Sequence, residues 1–230
     1  MATPPKALLS GVKSVIPLLV GVVPFSLITG LASTNAGFTP IETIGMSCLV
    51  FAGASQLAVI DLVNQNAAEI VIILTGIIIN LRFCMYSASL APHFSNLPFA
   101  TRGFLAYLLT DHAYAVSIVA FNNERKTHKR FFYIGAAATL WVVWQTSLLL
   151  GIFLGVLVPP GWPLDFVIPL TFLGLMFLAL TSKYALVAAI AASCLMLLTH
   201  GLPYNLGLFL SAFGGVLTGF WANKWWGHGR

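Results

Sequence analysis

GIIINLRFCMYSASL, residues 76–90, sets Asn80 and Arg82 in the middle of a run that otherwise reads as a membrane helix. The rest of the chain supports the membrane. Of its 230 residues, 59% are hydrophobic and 7% charged, against about 25% charged in soluble domains. No soluble fold of this length hides so much apolar surface, which leaves an all-α polytopic membrane protein. Stretches without a formal charge run from Lys13 to Glu42, Arg130 to Asp165 and Lys183 to Lys224. A span needs about 20 apolar residues, so each of the last two holds more than one helix, or a helix and a loop.

Breaks at Pro, Gly, Asn and charge divide the chain into about eight hydrophobic segments, near 14–34, 42–61, 67–90, 103–121, 131–157, 164–182, 184–199 and 203–222. They are read as one transporter domain, 1–230, with halves 1–121 and 131–230 joined by the hydrophilic loop NNERKTHKR, 122–130. Basic loops stay in the cytoplasm. Lys6 and Lys13 put the N-terminus there too, ahead of an apolar run too long for a cleaved leader. Four segments precede the loop and four follow it, so Lys224 and Arg230 return to the same side. Arg102, on the predicted outer side, dissents. The short segment 184–199 and the shallow break DLVNQNAAE are both open to a half-helix or re-entrant reading. AGFTPIE (36–42) and PGWPLDF (160–166) give a faint internal echo that suggests repeated halves.

The net charge of +5 sits at segment ends, a topology signal rather than a nucleic-acid footprint. The three cysteines are scattered in apolar segments and suggest neither a disulfide framework nor a metal site. No cofactor is implied. Gly207, Ser211, Gly215 and Gly219, four apart, form a small-residue face, and Gly151 and Gly155 form another. Each serves packing within the chain or against a partner.

An arginine at mid-membrane costs about 2.5–3.5 kcal/mol on insertion scales, so it is paired, faces a cavity, or snorkels to the surface. Asn80 and Arg82, two apart, reach one cavity only from a locally unwound helix. Asp111 supplies a counter-charge. With Tyr107 and Tyr114 it makes a polar stripe, Thr110 and Ser117 beside it, suited to a proton path. His112 follows, with a reference pKa near 6.5. His93 and His200 read as interfacial. In FAGASQ (51–56), Ser47, Phe51 and Ser55 share a face with Gln56 adjacent, and Gly53 and Ala54 allow a kink. GASQ lacks the second glycine of a nucleophile elbow and no histidine is spaced as its base, so no enzyme is expected. Pro24, with Pro17, Gly21 and Gly30, interrupts the first segment and frees carbonyls for protein, water or ligand.

GVVPFSLITGLA, FAGASQ, NLRFCMYSASLAPHF, LTDHAY and LDFVIPLTF in succession resemble the AzlC family, the large subunits of bacterial branched-chain amino acid exporters. The resemblance implies a multi-pass inner-membrane protein exporting valine, leucine, isoleucine or similar amino acids, with a small hydrophobic AzlD-type subunit as partner and a higher oligomer allowed. Family members often carry Asp-Glu after the segment-4 threonine, where this chain has Asp111-His112. On this reading Arg82 or the dipole of a broken-helix N-terminus takes the substrate carboxylate, Asp111, Gln56, Asn80 and carbonyls freed by Pro24 take the ammonium, and Ser55 belongs to the same substrate site. Phe51 and Phe83 line the tail pocket. Asp111, His112, Tyr107 and Tyr114 carry the coupling ion, most simply a proton, since no P-loop is present. A non-transporting membrane scaffold and a channel for small polar solutes are the alternatives.

Overall fold

A computed structural model describes residues 3–123, 128–157, 180, 182–201 and 206–226. Among these the secondary structure is helical, without strands. In chain order the helices are α1 (Pro4–Asn35), α2 (Pro40–Leu49), α3 (Gly53–Asn64), α4 (Glu69–Asn80), α5 (Arg82–Phe94), α6 (Phe99–Tyr107), α7 (Asp111–Asn123), α8 (Lys129–Leu157), α9 (Lys183–Thr199) and α10 (Leu206–Trp226). They fall into two compact units. One is Met1–Asn66 with Ile72–Leu164, the other Ala67–Val71 with Asp165–Arg230. The expected segment 164–182 and the second member of the internal echo lie outside the described residues, as does the centre of the basic loop.

Three stretches of the described chain are long and apolar enough to cross a membrane: α1, α4 with α5, and α8. In the first unit α1 and α8 form the frame. They lie parallel, Leu8 beside Gly135 and Leu27 beside Gly151, with backbones in direct contact. A Cβ on Gly11, Gly30, Gly135 or Gly151 would overlap a main-chain carbonyl of the other helix. Without a hydrophobic drive between helices in lipid, close packing of this kind is what holds a pair together. Gly151 and Gly155 therefore face α1, and the seam is internal. Ser26 adds a side-chain bond, its Oγ donating to the Trp144 carbonyl at 2.6 Å. Pro17 and Pro24 sit inside α1 without ending it.

Because α1 and α8 are parallel, Lys6, Lys129 and Arg130 share one end of the frame, here called the basic end. α4 and α5 run back toward it. His93, near the end of α5, meets Lys129 at 2.8 Å, and the Phe94 and Tyr133 rings are 5.4 Å apart.

The other two segments expected to cross fold back on themselves. α2 starts at the far end of the frame, where Thr39 and Glu42 form a reciprocal capping box. Thr43 bonds Ser33 of α1 there at 2.6 Å. α2 descends only to Ser47, level with Trp144 of α8. After the break at Val50–Ala52, α3 turns back toward the far end, antiparallel to α4. Asn80 reaches Ser55, while Gly76, one turn earlier, lies against Ser55 and Val59. α6 and α7 make the matching hairpin from the basic end. Tyr133, near the start of α8, bonds the Leu105 carbonyl, and Trp141, two turns on, bonds Tyr107. α7 then returns until Phe121 packs on Phe132. These helices have 10, 12, 9 and 13 residues, about 14–20 Å each at 1.5 Å per residue, or half a bilayer core.

Segments 42–61 and 103–121 are thus re-entrant hairpins rather than crossings. Two crossings, α1 and α4–α5, rather than four lie between the N-terminus and the basic loop, so the two still share an end. The dissent of Arg102 disappears, since the first turn of α6 lies at the basic end. Glu42 and Asp61 lie toward the opposite one.

The second unit is a helix pair. α9 and α10 run antiparallel, Gly207 against the Thr199 carbonyl, Gly215 against Ala192 and Gly219 against Ala188. The Ser211 Oγ lies 3.7 Å from the Met196 sulfur. The small-residue face of α10 is therefore used within the chain.

Candidate functional site

The two hairpin tips meet halfway along the frame. The Tyr107 hydroxyl, at the end of α6, donates to the Cys48 carbonyl near the end of α2 at 2.8 Å and accepts from the Trp141 indole at 3.0 Å. Behind the first tip, Ser47 accepts from the Trp144 indole at 3.0 Å and donates to Gln145 at 3.1 Å. Phe25 and Phe51 pack edge-on against the same Trp144 ring at 5.5 and 6.2 Å. Loss of the tip-to-tip bond is measurable: Tyr107→Phe should lower thermal stability in detergent by about 1 kcal/mol without changing the amount inserted.

Between the tips runs the α4–α5 span, and its kink is the site. At Leu81 the helix tightens, with i→i+3 bonds from Leu81 N–H to Ile78 and from Cys84 N–H to Leu81. Asn80 and Arg82 do not face one cavity as a matched pair. Asn80 turns to the first tip, its Nδ2 donating to Ser55 at 3.2 Å, and Ser55 in turn donates to the Gly76 carbonyl at 3.4 Å. Arg82 turns to the second tip and forms an ion pair with Asp111, Nη1 to Oδ2 2.9 Å. The polar residues that looked out of place in the span hold one hairpin each.

The pair is accessible, with side chains 29% and 38% exposed for Arg82 and Asp111. Arg82 Nε in the pair itself, Asn80 Oδ1 on the kink and Gln56 Oε1 behind the first tip are buried without a hydrogen-bond partner. Gln56 itself is 1% exposed, its Nε2 bonded to the Val50 carbonyl in the break. Buried polar groups are nearly always satisfied, so unmet atoms on Arg82 and on Asn80 two residues before it mark the kink as a place made for something polar. Phe83 lies under the Arg82 guanidinium at 5.2 Å. Tyr86 is close enough to interact with Asp111 and stacks on Tyr114 at 4.5 Å, whose hydroxyl meets Ser89 at 3.1 Å.

The remaining expected residues separate. Tyr107 does not share a helical stripe with Asp111 and Tyr114, because the chain breaks at Leu108–Thr110 and α7 starts afresh, with Thr110 accepting from the Ala113 N–H at 3.2 Å. Ser47 and Ser55 do not share a face either, since the break at 50–52 turns Ser47 to α8 and Ser55 to α4. His112 and Pro24 lie on exposed faces of α7 and α1. Trp144 and Gln145 were not singled out from the sequence. The available signal was a glutamine inside the longest apolar run.

A family model described as AzlC protein matches residues 17–158, from within α1 to the end of α8. The chain belongs to the AzlC family. The match takes in both hairpins and the kinked span between them, and most of each frame helix. Among similar proteins, the inner membrane protein YgaZ of Escherichia coli strain K12 is 23% identical over 93% of this chain and 91% of its own length. An uncharacterized membrane protein of Archaeoglobus fulgidus is 31% identical over 60% and 58%, respectively. One from Helicobacter pylori is 24% identical over 56% of each. No solved structure matches the chain.

Proposed function

We propose that this AzlC protein is the large subunit of a secondary transporter that exports branched-chain amino acids, with the basic end facing the cytoplasm. The observation that carries the reading is the accessible Arg82–Asp111 pair held between two re-entrant tips, with unmet polar atoms on Arg82 itself and on Asn80 in the same kink. Secondary transporters place substrate where broken helices meet at mid-membrane, because helix ends and freed backbone groups supply the polarity there.

The parts fit an aliphatic amino acid. Arg82 has an unused Nε donor for a carboxylate. Asn80 Oδ1 and Gln56 Oε1 accept from the ammonium, and Phe83 and Phe51 supply apolar surface. When substrate takes Arg82, Asp111 loses its partner and becomes a proton acceptor, which couples efflux to proton entry. Tyr86 and Tyr114 extend from it along α5 and α7. The positive-inside rule orients the protein, as Lys6, Arg102, Lys129 and Arg130 share an end.

An AzlD-type small subunit completes the unit on the strength of the family alone, because the small-residue face of α10 packs on α9. Counterflow of labelled leucine in proteoliposomes, with and without the small subunit, tests the reading. Exchange should need both chains. Flux without exchange would make the protein a channel, and no flux with a stable complex would make it a scaffold. Asp111→Asn should abolish the dependence of export on the proton gradient while leucine binding persists. Retention of that dependence would remove Asp111 from the coupling.

A further inference from the structure

Residues 22–64 and 80–122 fall into register at one constant offset, that of Phe25 and Phe83, without a gap. Pro40 then matches Pro98, Thr43 matches Thr101, Gly45 matches Gly103 and Asn64 matches Asn122. The structure keeps the same register: α3 starts at Gly53 and α7 at Asp111, and the breaks at 50–52 and 108–110 coincide. A span followed by a re-entrant hairpin occurs twice, and the hairpins enter from opposite ends. This is the pattern of an inverted repeat, and it differs from the division at the basic loop expected from sequence.

The two copies differ in what surrounds them. Beside the second hairpin, a cavity of about 170 Å³ lies between Leu105, Ala106 and Leu109 on one side and Leu90 and Phe94 on the other, with Arg102 toward the basic end. Among the described residues Arg102 has no acidic partner. The counterpart of Leu109 is Phe51, and both are buried, 6% and 8% exposed; Phe51 packs on the Trp144 ring, and Gly53 lies directly against the Trp144 and Phe25 rings. A cavity adjoins the second hairpin, and at the corresponding place in the first the Phe51 ring lies on Trp144.

We propose that the cavity beside the second hairpin is the entry site for the amino acid from the basic end, and that the packed region around Phe51 is its inverted counterpart, the exit, closed in this state. Arg102 draws in the carboxylate, and the leucine and phenylalanine walls take the branched tail. A volume close to the roughly 150 Å³ of an engineered cavity that holds one benzene suits a single aliphatic side chain rather than a lipid tail. The assignment rests on the transport reading above.

The test uses the full chain with its partner, the native cysteines replaced by alanine, and single cysteines at Leu109→Cys or Phe51→Cys. Each is treated with an impermeant maleimide from either face of oriented vesicles. Leu109→Cys should react from the basic face and Phe51→Cys only from the far face. Leucine at about ten times its half-saturating concentration should slow the Leu109→Cys reaction about tenfold, by occupancy alone. Ala106→Cys, on the same wall, serves if Leu109→Cys does not assemble. Reaction of both positions from one face would overturn the inverted arrangement. Absence of leucine protection, or protection by phosphatidylglycerol instead, would overturn the entry site. Leucine counterflow measured on the same vesicles then shows whether the transport reading falls with it.

Discussion

Arg82→Ala should reduce leucine export by about thirtyfold or more, equivalent to about 2 kcal/mol, while the protein still reaches the membrane. Two losses combine. The substrate carboxylate loses its cationic partner, and Asp111 is left without the ion pair seen at 2.9 Å. Truncating one member of a hydrogen-bonded charge pair typically costs about 2–5 kcal/mol. The low end applies because both side chains are about a third exposed. Arg82→Lys separates gripping from snorkelling. A lysine reaches the interface as well as an arginine but lacks the planar two-pronged donor, so leucine binding should weaken while insertion is unchanged. Wild-type export and binding by Arg82→Lys at matched expression would remove the carboxylate role.

A comparably large effect is expected far from the polar residues. Gly151→Ala should destabilise the protein by about 1–3 kcal/mol, as overpacking does, and Gly151→Val by more. The new Cβ would overlap the Leu27 carbonyl, and main chain packed in a frame helix cannot move aside as a side-chain tip can. The helices must part, opening the packing from Gly11 to Gly155. Gly21→Ala is the control, since nothing lies within 4 Å of the added atom. Thermal denaturation in detergent, read by loss of the monodisperse peak, should show Gly151→Ala well below wild type and Gly21→Ala at or slightly above it. Equal stability of the two variants would mean the close approach of α1 and α8 is not what holds the unit.

What could be read in advance follows from what hydropathy measures. It reports apolar length, and residues 40–64 or 99–123 have the length of a span whether the chain crosses or turns back. Direction is decided at the tips, where the signals are small. Val50–Ala52 carries neither proline nor charge, and only Gly53 hinted at a bend. Thr110-Asp111 is an N-cap followed by a first-turn acid, yet in an apolar run it also passes for a polar stripe, and taking it so aligned Tyr107 with Asp111. Arg82 and Asp111 were legible because charge in lipid must be answered. The reach of Asn80 to Ser55 was not, because it depends on two hairpins arriving from opposite ends. The Trp144–Ser47–Gln145 cluster is likewise tertiary, joining positions about a hundred residues apart.

The fold-back of α2–α3 and α6–α7 also sets the order in which the protein can be made. A crossing must be committed as it leaves the translocation machinery, but a hairpin that starts and ends on one side can be laid in afterwards. The span bearing Arg82 is synthesised before Asp111 exists, so it first enters the bilayer with its charge unanswered, and the second hairpin neutralises it later. Asp111 can thus answer Arg82 only after the span that carries Arg82 has been made. A nascent chain stopped at residue 94 would hold α4–α5 only loosely in the membrane, and extension through residue 123 would lock it there.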